Sequence, residues 1–178
     1  MIALVLGGAR SGKSEVAEGM ASLLPQPVTY VATAFLDDCA PDGGDPDLLV
    51  RVAAHRARRP PAWRTVELDP ASDLAGVTGQ LTGTVLVDSL GMWLAGADER
   101  AGHGDRLCRE LVDRPGDTVI VSDEVGLGVH PSSPSGLVFR DALGELNRRV
   151  AAVADDVVLV VAGMVLPLQP APARPGGG

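Results

Sequence analysis

The chain has 178 residues, 46% of them apolar, enough for one domain with a substantial core and too apolar for a disordered chain. Its formal charge of −8, from 23 acids and 15 bases, argues against a general binder of nucleic acid or of anionic membranes. Cys39 and Cys108 have neither C-x-x-C spacing nor a histidine pair beside them, so a structural zinc is not expected. Free thiols without a basic, apolar leader predict a soluble protein of the reducing cytoplasm. The longest apolar stretch, residues 157–168, is too short to span a bilayer and is broken by Gly163 and Pro167, so no membrane insertion is expected.

In chain order, residues 2–6 predict a buried strand. They lead into Gly7-Gly8-Ala9-Arg10-Ser11-Gly12-Lys13-Ser14, which is the G-x-x-x-x-G-K-[ST] phosphate-binding loop and holds the only lysine. Glycines let the loop curl so that successive N–H groups face the phosphates of a nucleotide. The ammonium of Lys13 reaches the β- and γ-phosphates, and the Ser14 hydroxyl ligates Mg²⁺. Val16, Met20, Leu23 and Leu24 then recur at helical spacing over residues 12–24, until Pro25 stops the helix. A nucleoside triphosphate is the expected ligand.

A second strand is predicted at 28–31, followed by an acidic Gly/Pro-containing loop at 37–45. Asp45 is placed to cap a helix that opens with Pro46. Along that helix Leu48, Val52 and His55 share one face, which alone suits a core histidine. However, His55-Arg56-Ala57-Arg58-Arg59-Pro60 is the one dense basic cluster in an acidic chain. Three guanidiniums beside an imidazole make a polyphosphate clamp around a nucleophile, and their charge favours the neutral, nucleophilic imidazole. The competing view is a solvated charge run.

Strands are predicted next at 84–87 and 118–122. The first ends in Asp88, placed to hold Mg²⁺ through water from a strand neighbouring the phosphate loop; the alternative is a helix cap. The second ends in Ser122-Asp123-Glu124-Val125-Gly126-Leu127-Gly128, whose acids point either into the ligand crevice or to solvent. His103 and His130 fall in loops. Ser133 is the expected N-cap, and Pro134 the first residue, of a helix over 134–154 with Phe139, Leu143, Leu146, Val150 and Val153 on one stripe. A last strand is predicted at 157–161. Residues 1–168 read as one domain and 169–178 as a disordered tail. Near-continuous apolar strands alternating with helices give the fold class: α/β, a P-loop NTPase-type three-layer fold with a mostly parallel sheet.

Several segments together carry a family resemblance. They are the phosphate loop, Tyr30-Val31-Ala32-Thr33, His55 with Arg59-Pro60, Trp63-Arg64-Thr65-Val66-Glu67, Glu124-Val125-Gly126-Leu127-Gly128, Phe139-Arg140-Asp141 and Asn147. In this order they make the chain, over residues 2–166, resemble the bifunctional adenosylcobinamide kinase / adenosylcobinamide-phosphate guanylyltransferase family of cobalamin biosynthesis. The resemblance implies phosphorylation of adenosylcobinamide by ATP or GTP, followed by transfer of GMP from GTP to adenosylcobinamide phosphate. It also implies a guanylyl-histidine intermediate, on the position that His55 occupies. Nucleotide contacts carry over to residues 7–14, to Ala32, Thr33 and Ala34, to Arg56, Ala57, Arg58 and Arg59, to Glu67 and to Asp88, and a homotrimer is implied. Asp88 stands where family members can carry Glu, and Asp123 where they can carry Asn. A P-loop kinase without guanylyl transfer is the nearest alternative. A regulatory GTP switch would need an N-K-x-D motif, which a chain whose sole lysine is Lys13 lacks.

Overall fold

The computed structural model describes residues 1–34, 46–68, 72–96 and 104–171, although the side chains of residues 46–49 and 51 are not described. Cys39, His103, the loop at 37–45, the Asp45 cap and residues 172–178 of the expected tail lie outside the described residues.

Seven strands form one sheet: β1 (Ile2–Gly7), β2 (Val28–Ala32), β3 (Arg64–Glu67), β4 (Thr84–Asp88), β5 (Thr118–Asp123), β6 (Asp156–Val161) and β7 (Met164–Pro167), in the order β3-β2-β4-β5-β1-β6-β7. All neighbours are parallel except the β6–β7 hairpin. The helices are α1 (Lys13–Ser22), α2 (Pro46–Arg58), α3 (Leu74–Gln80), α4 (Leu90–Ala95), α5 (Gly104–Asp113) and α6 (Pro134–Val153).

Strand pleating explains why the runs read as continuously apolar. Ile2, Leu4 and Leu6 of β1 point into a core shared with α3, α4, α5 and α6, whereas Ala3 and Val5 point to the opposite face, where Ala17 and Ala21 of α1 pack. The predicted cap of α6 is present: the Ser133 hydroxyl accepts from Gly136 N at 3.1 Å, with Pro134 at the first turn. Buried Asn147 ties that helix to the end of β5, accepting from Ser122 Oγ at 2.6 Å and donating to the Asp123 carbonyl at 3.1 Å.

Two strands were not anticipated. β3 is an exposed edge with only Val66 turned partly inward, so it leaves no apolar run to detect. β7 is the second half of the stretch 157–168, folded back at Ala162 and Gly163, which both take positive φ as a two-residue hairpin turn requires. No described helix is long and apolar enough to cross a membrane.

The parallel topology sets the functional edge. Register aligns Glu67 with Ala32, Ala32 with Asp88, and Asp123 with Gly7, so three carboxylates and the start of the phosphate loop share the carboxyl-terminal rim of the sheet. Ligands of open α/β sheets bind along this rim.

Candidate active site

The phosphate loop runs from β1 into α1. Gly12, the N-cap, sits at φ 90°, and Arg10 also takes the left-handed region at φ 57°. The tight curl is closed by Ser11 N donating to the Gly8 carbonyl at 3.2 Å, and the β6–β7 turn braces it through Gly163 N to the Ser11 carbonyl at 2.8 Å. Lys13 Nζ lies 2.9 Å from Asp123 Oδ1 and donates to the Gly8 carbonyl at 3.2 Å. Its ammonium is therefore held at the mouth of the loop, where a triphosphate would meet it.

Asp88 does not stand on a strand next to the loop, as the sequence suggested. β5 lies between β4 and β1, so the acid beside the loop is Asp123, with Asp88 one strand further. Asp88 is not the cap of α4 either, because Ser89 does that work, its hydroxyl accepting from Met92 N at 3.3 Å. The Asp88 carboxylate accepts from Tyr30 Oη at 2.6 Å and faces His55 Nδ1 at 3.3 Å, with the Ser14 hydroxyl nearby. Burial pushes the Asp88 carboxyl up, but hydrogen bonds from His55 and Tyr30, the charge of His55 and the Ser14 hydroxyl outweigh it and hold the group below the usual aspartate range. Burial, reinforced by Asp88, pushes the Tyr30 phenol far above its ordinary value, so Tyr30 is a fixed donor.

His55 is no core residue. At the end of α2 its side chain keeps 26% exposure and lines a cavity of about 680 Å³ together with the phosphate loop. A neutral imidazole that donates Nδ1–H to Asp88 carries its lone pair on Nε2.

The basic cluster is arranged otherwise than expected. Arg56 pairs with Glu67 at 2.5 Å, and Arg58 with Glu15 at 3.0 Å and Glu18 at 3.3 Å. The Arg59 guanidinium carbon lies over the Tyr30 ring, 3.6 Å from its centre. Arg56 and Arg58 thus stand at the cavity wall with their charge already partnered by carboxylates, Arg59 has no carboxylate partner among the described residues, and Asp88, not arginine, is the group facing the imidazole. Solvent-exposed pairs such as Arg56–Glu67 are worth only about 0.2–1 kcal/mol, so an incoming phosphate can displace one partner.

Of the expected nucleotide contacts, all line this cavity except Gly7, Gly8, Thr33 and Ala57. Thr33 is fully buried and braces the β4–α4 junction, its hydroxyl donating to the Ser89 carbonyl and accepting from Ser89 N, both at 2.7 Å. Sequence reasoning left Asp123 undecided and missed Tyr30. The signal for Asp123 was an apolar strand ending in an acid, the same pattern that had pointed to Asp88.

Among the described residues, no group of three or more His, Cys, Asp or Glu side chains forms a metal site. Ser14 and Asp88, which line the same cavity, are a donor pair that suits Mg²⁺ sharing its shell with phosphate and water.

Comparison with known proteins gives matches across nearly the whole chain. The family described as cobinamide kinase / cobinamide phosphate guanyltransferase matches residues 3–168. The bifunctional adenosylcobalamin biosynthesis protein CobP of Pseudomonas aeruginosa is 37% identical, covering 95% of this chain and 98% of that protein. The bifunctional adenosylcobalamin biosynthesis proteins CobU of Salmonella typhimurium and Escherichia coli are 35% and 36% identical, each covering 92% of this chain and 97% of the relative. A solved structure of the P4 protein from bacteriophage phi6 in complex with ADP aligns at a TM-score of 0.41 and 16% identity, over 93% of this chain and 53% of that one.

Proposed function

The chain belongs to the cobinamide kinase / cobinamide phosphate guanyltransferase family, and from that premise we propose two successive reactions at one nucleotide cavity. The hydroxyl of adenosylcobinamide first takes the γ-phosphoryl of ATP or GTP. GMP then passes from GTP to His55, and from His55 to adenosylcobinamide phosphate, giving adenosylcobinamide-GDP. One observation carries this reading: a phosphate loop and an imidazole oriented by a carboxylate line the same cavity.

In the first reaction Lys13 and the loop amides hold the β- and γ-phosphates and draw charge from the transferring group. In the second, His55 Nε2 attacks the α-phosphorus, and the N–P bond forms as the bond to pyrophosphate breaks. Asp88 holds the ring by Nδ1 and stabilises the cation that results, while Tyr30 fixes Asp88 in turn. Arg56 and Arg58 are placed to receive pyrophosphate. Mg²⁺, held by Ser14 and through water by Asp88, would supply charge neutralisation at the phosphates. The open β7 edge, with Met164 75% and Leu166 56% exposed, supports the homo-oligomer, a trimer, that the family suggests.

Incubation of the enzyme with adenosylcobinamide, GTP and Mg²⁺ should give cobinamide phosphate first and cobinamide-GDP second. Formation of the phosphate alone would leave a kinase without guanylyl transfer.

Asp88→Asn keeps an acceptor for Tyr30 but removes the charge facing His55. Guanylyl turnover should fall about 10- to 100-fold, the loss typical of groups that orient a reacting ligand. Because the folded Asp88 titrates below its ordinary 3.8, its stabilising contribution is present above that value and is lost as pH falls through the folded one. The melting temperature of Asp88→Asn should therefore lie below that of the parent at neutral pH and converge with it in acid. An unchanged turnover with a large stability loss would assign Asp88 to the fold alone.

A further inference from the structure

A second cavity, of about 420 Å³, lies against the phosphate loop. It is bounded by residues 8–11, by Glu124 and Leu127 of the loop after β5, and by the end of β6 at Val160 and Val161. Its position relative to the nucleotide follows from Lys13. The ammonium that serves the β- and γ-phosphates rests on the Gly8 carbonyl and on Asp123. Gly8 itself, and Glu124 next to Asp123, are walls of the second cavity. This cavity therefore adjoins the part of the loop where Lys13 would meet the β- and γ-phosphates of a triphosphate. A phosphoryl acceptor must reach the γ-phosphorus in line with the departing oxygen, and with the larger cavity occupied by nucleotide the smaller one is the neighbouring space that would admit it.

Its chemistry suits an amphipathic alcohol. Leu127 is 80% exposed and Val161 59% exposed, large apolar side chains without cover at the rim of a site that also holds a carboxylate. Gly126 N donates to Glu124 Oε1 at 2.7 Å, which fixes the carboxylate. Among the described residues the other oxygen has no protein partner.

We propose that the second cavity seats the alcohol arm of cobinamide during phosphorylation, with Glu124 accepting its proton; this rests on the kinase reading above. As the acceptor oxygen bonds to the γ-phosphorus, the bond from that phosphorus to the β-phosphate oxygen breaks. The hydroxyl proton passes to the Glu124 carboxylate, and the nucleoside diphosphate leaves with the electron pair. The apolar body of the acceptor lies over Leu127 and Val161.

The test compares the parent, Glu124→Gln and Leu127→Arg in two assays: cobinamide phosphorylation with GTP and Mg²⁺, and labelling of the protein by α-labelled GTP without corrinoid. Glu124→Gln should lower kcat of phosphorylation by about 100-fold or more, as loss of a general base does. Leu127→Arg should raise KM for cobinamide by about tenfold or more, with a smaller change in kcat. In both variants the kinase loss should exceed the labelling loss by about tenfold or more. Phosphorylation within about twofold of the parent in both variants overturns the assignment. Equal losses in the two assays overturn it too, since the residues would then serve the nucleotide or the fold. A parent that labels but phosphorylates no cobinamide overturns the kinase reading itself, a result distinct from both.

Discussion

His55→Ala is expected to abolish transfer of GMP to cobinamide phosphate, by about 10³-fold or more, while cobinamide phosphorylation stays within about tenfold of the parent. The asymmetry follows from the chemistry of the two steps. Guanylyl transfer through the protein needs a nucleophile on the protein, and His55 is the imidazole that lines the nucleotide cavity with its Nδ1 engaged by Asp88. Phosphoryl transfer to a hydroxyl needs no covalent partner, only positioning and charge. Side-chain exposure of 26% means that truncation opens little core, so folding should persist. Separate assays of the two half-reactions, with thermal melting alongside, check this. Loss of both activities together with unfolding would return His55 to a structural role.

Lys13→Ala is expected to suppress both reactions, each by about 10²–10³-fold, because one charged donor at the developing phosphate charge is worth roughly that much. No other lysine exists in the chain to substitute for it. The structure adds a second consequence. Asp123 Oδ1 loses the ammonium 2.9 Å away and then presents an unpaired carboxylate at the mouth of the loop, which repels triphosphate. Lys13→Ala/Asp123→Asn should therefore bind GTP better than Lys13→Ala alone, measurable by titration calorimetry. Parental turnover in Lys13→Ala would contradict the phosphate-loop reading.

What the sequence made legible was whatever is encoded locally. The phosphate loop is eight contiguous residues, and five of the parallel strands are apolar runs because both their faces are covered by helices. β3 escaped notice because Arg64, Thr65 and Glu67 are exposed, and β7 because a two-residue turn leaves no polar gap in the apolar stretch. At the site, the residue types were legible but their partnerships were not. Asp88 facing His55, and Asp123 holding Lys13, depend on the strand order β4-β5-β1, which no local pattern records. The arginines show the same limit. Arg56 and Arg58 looked like free cations beside His55 until the fold brought Glu67, Glu15 and Glu18 against them.

The covalent intermediate is the centre of the account. It is tested most directly by incubating the protein with α-labelled GTP and Mg²⁺, denaturing it, and dividing the labelled protein between acid and base before mapping the peptide that carries the label. A label lost in acid, kept in base and located at His55 is the predicted result, since a phosphoramidate has that stability. A label that survives acid, that maps to another residue, or that persists in His55→Ala would contradict it.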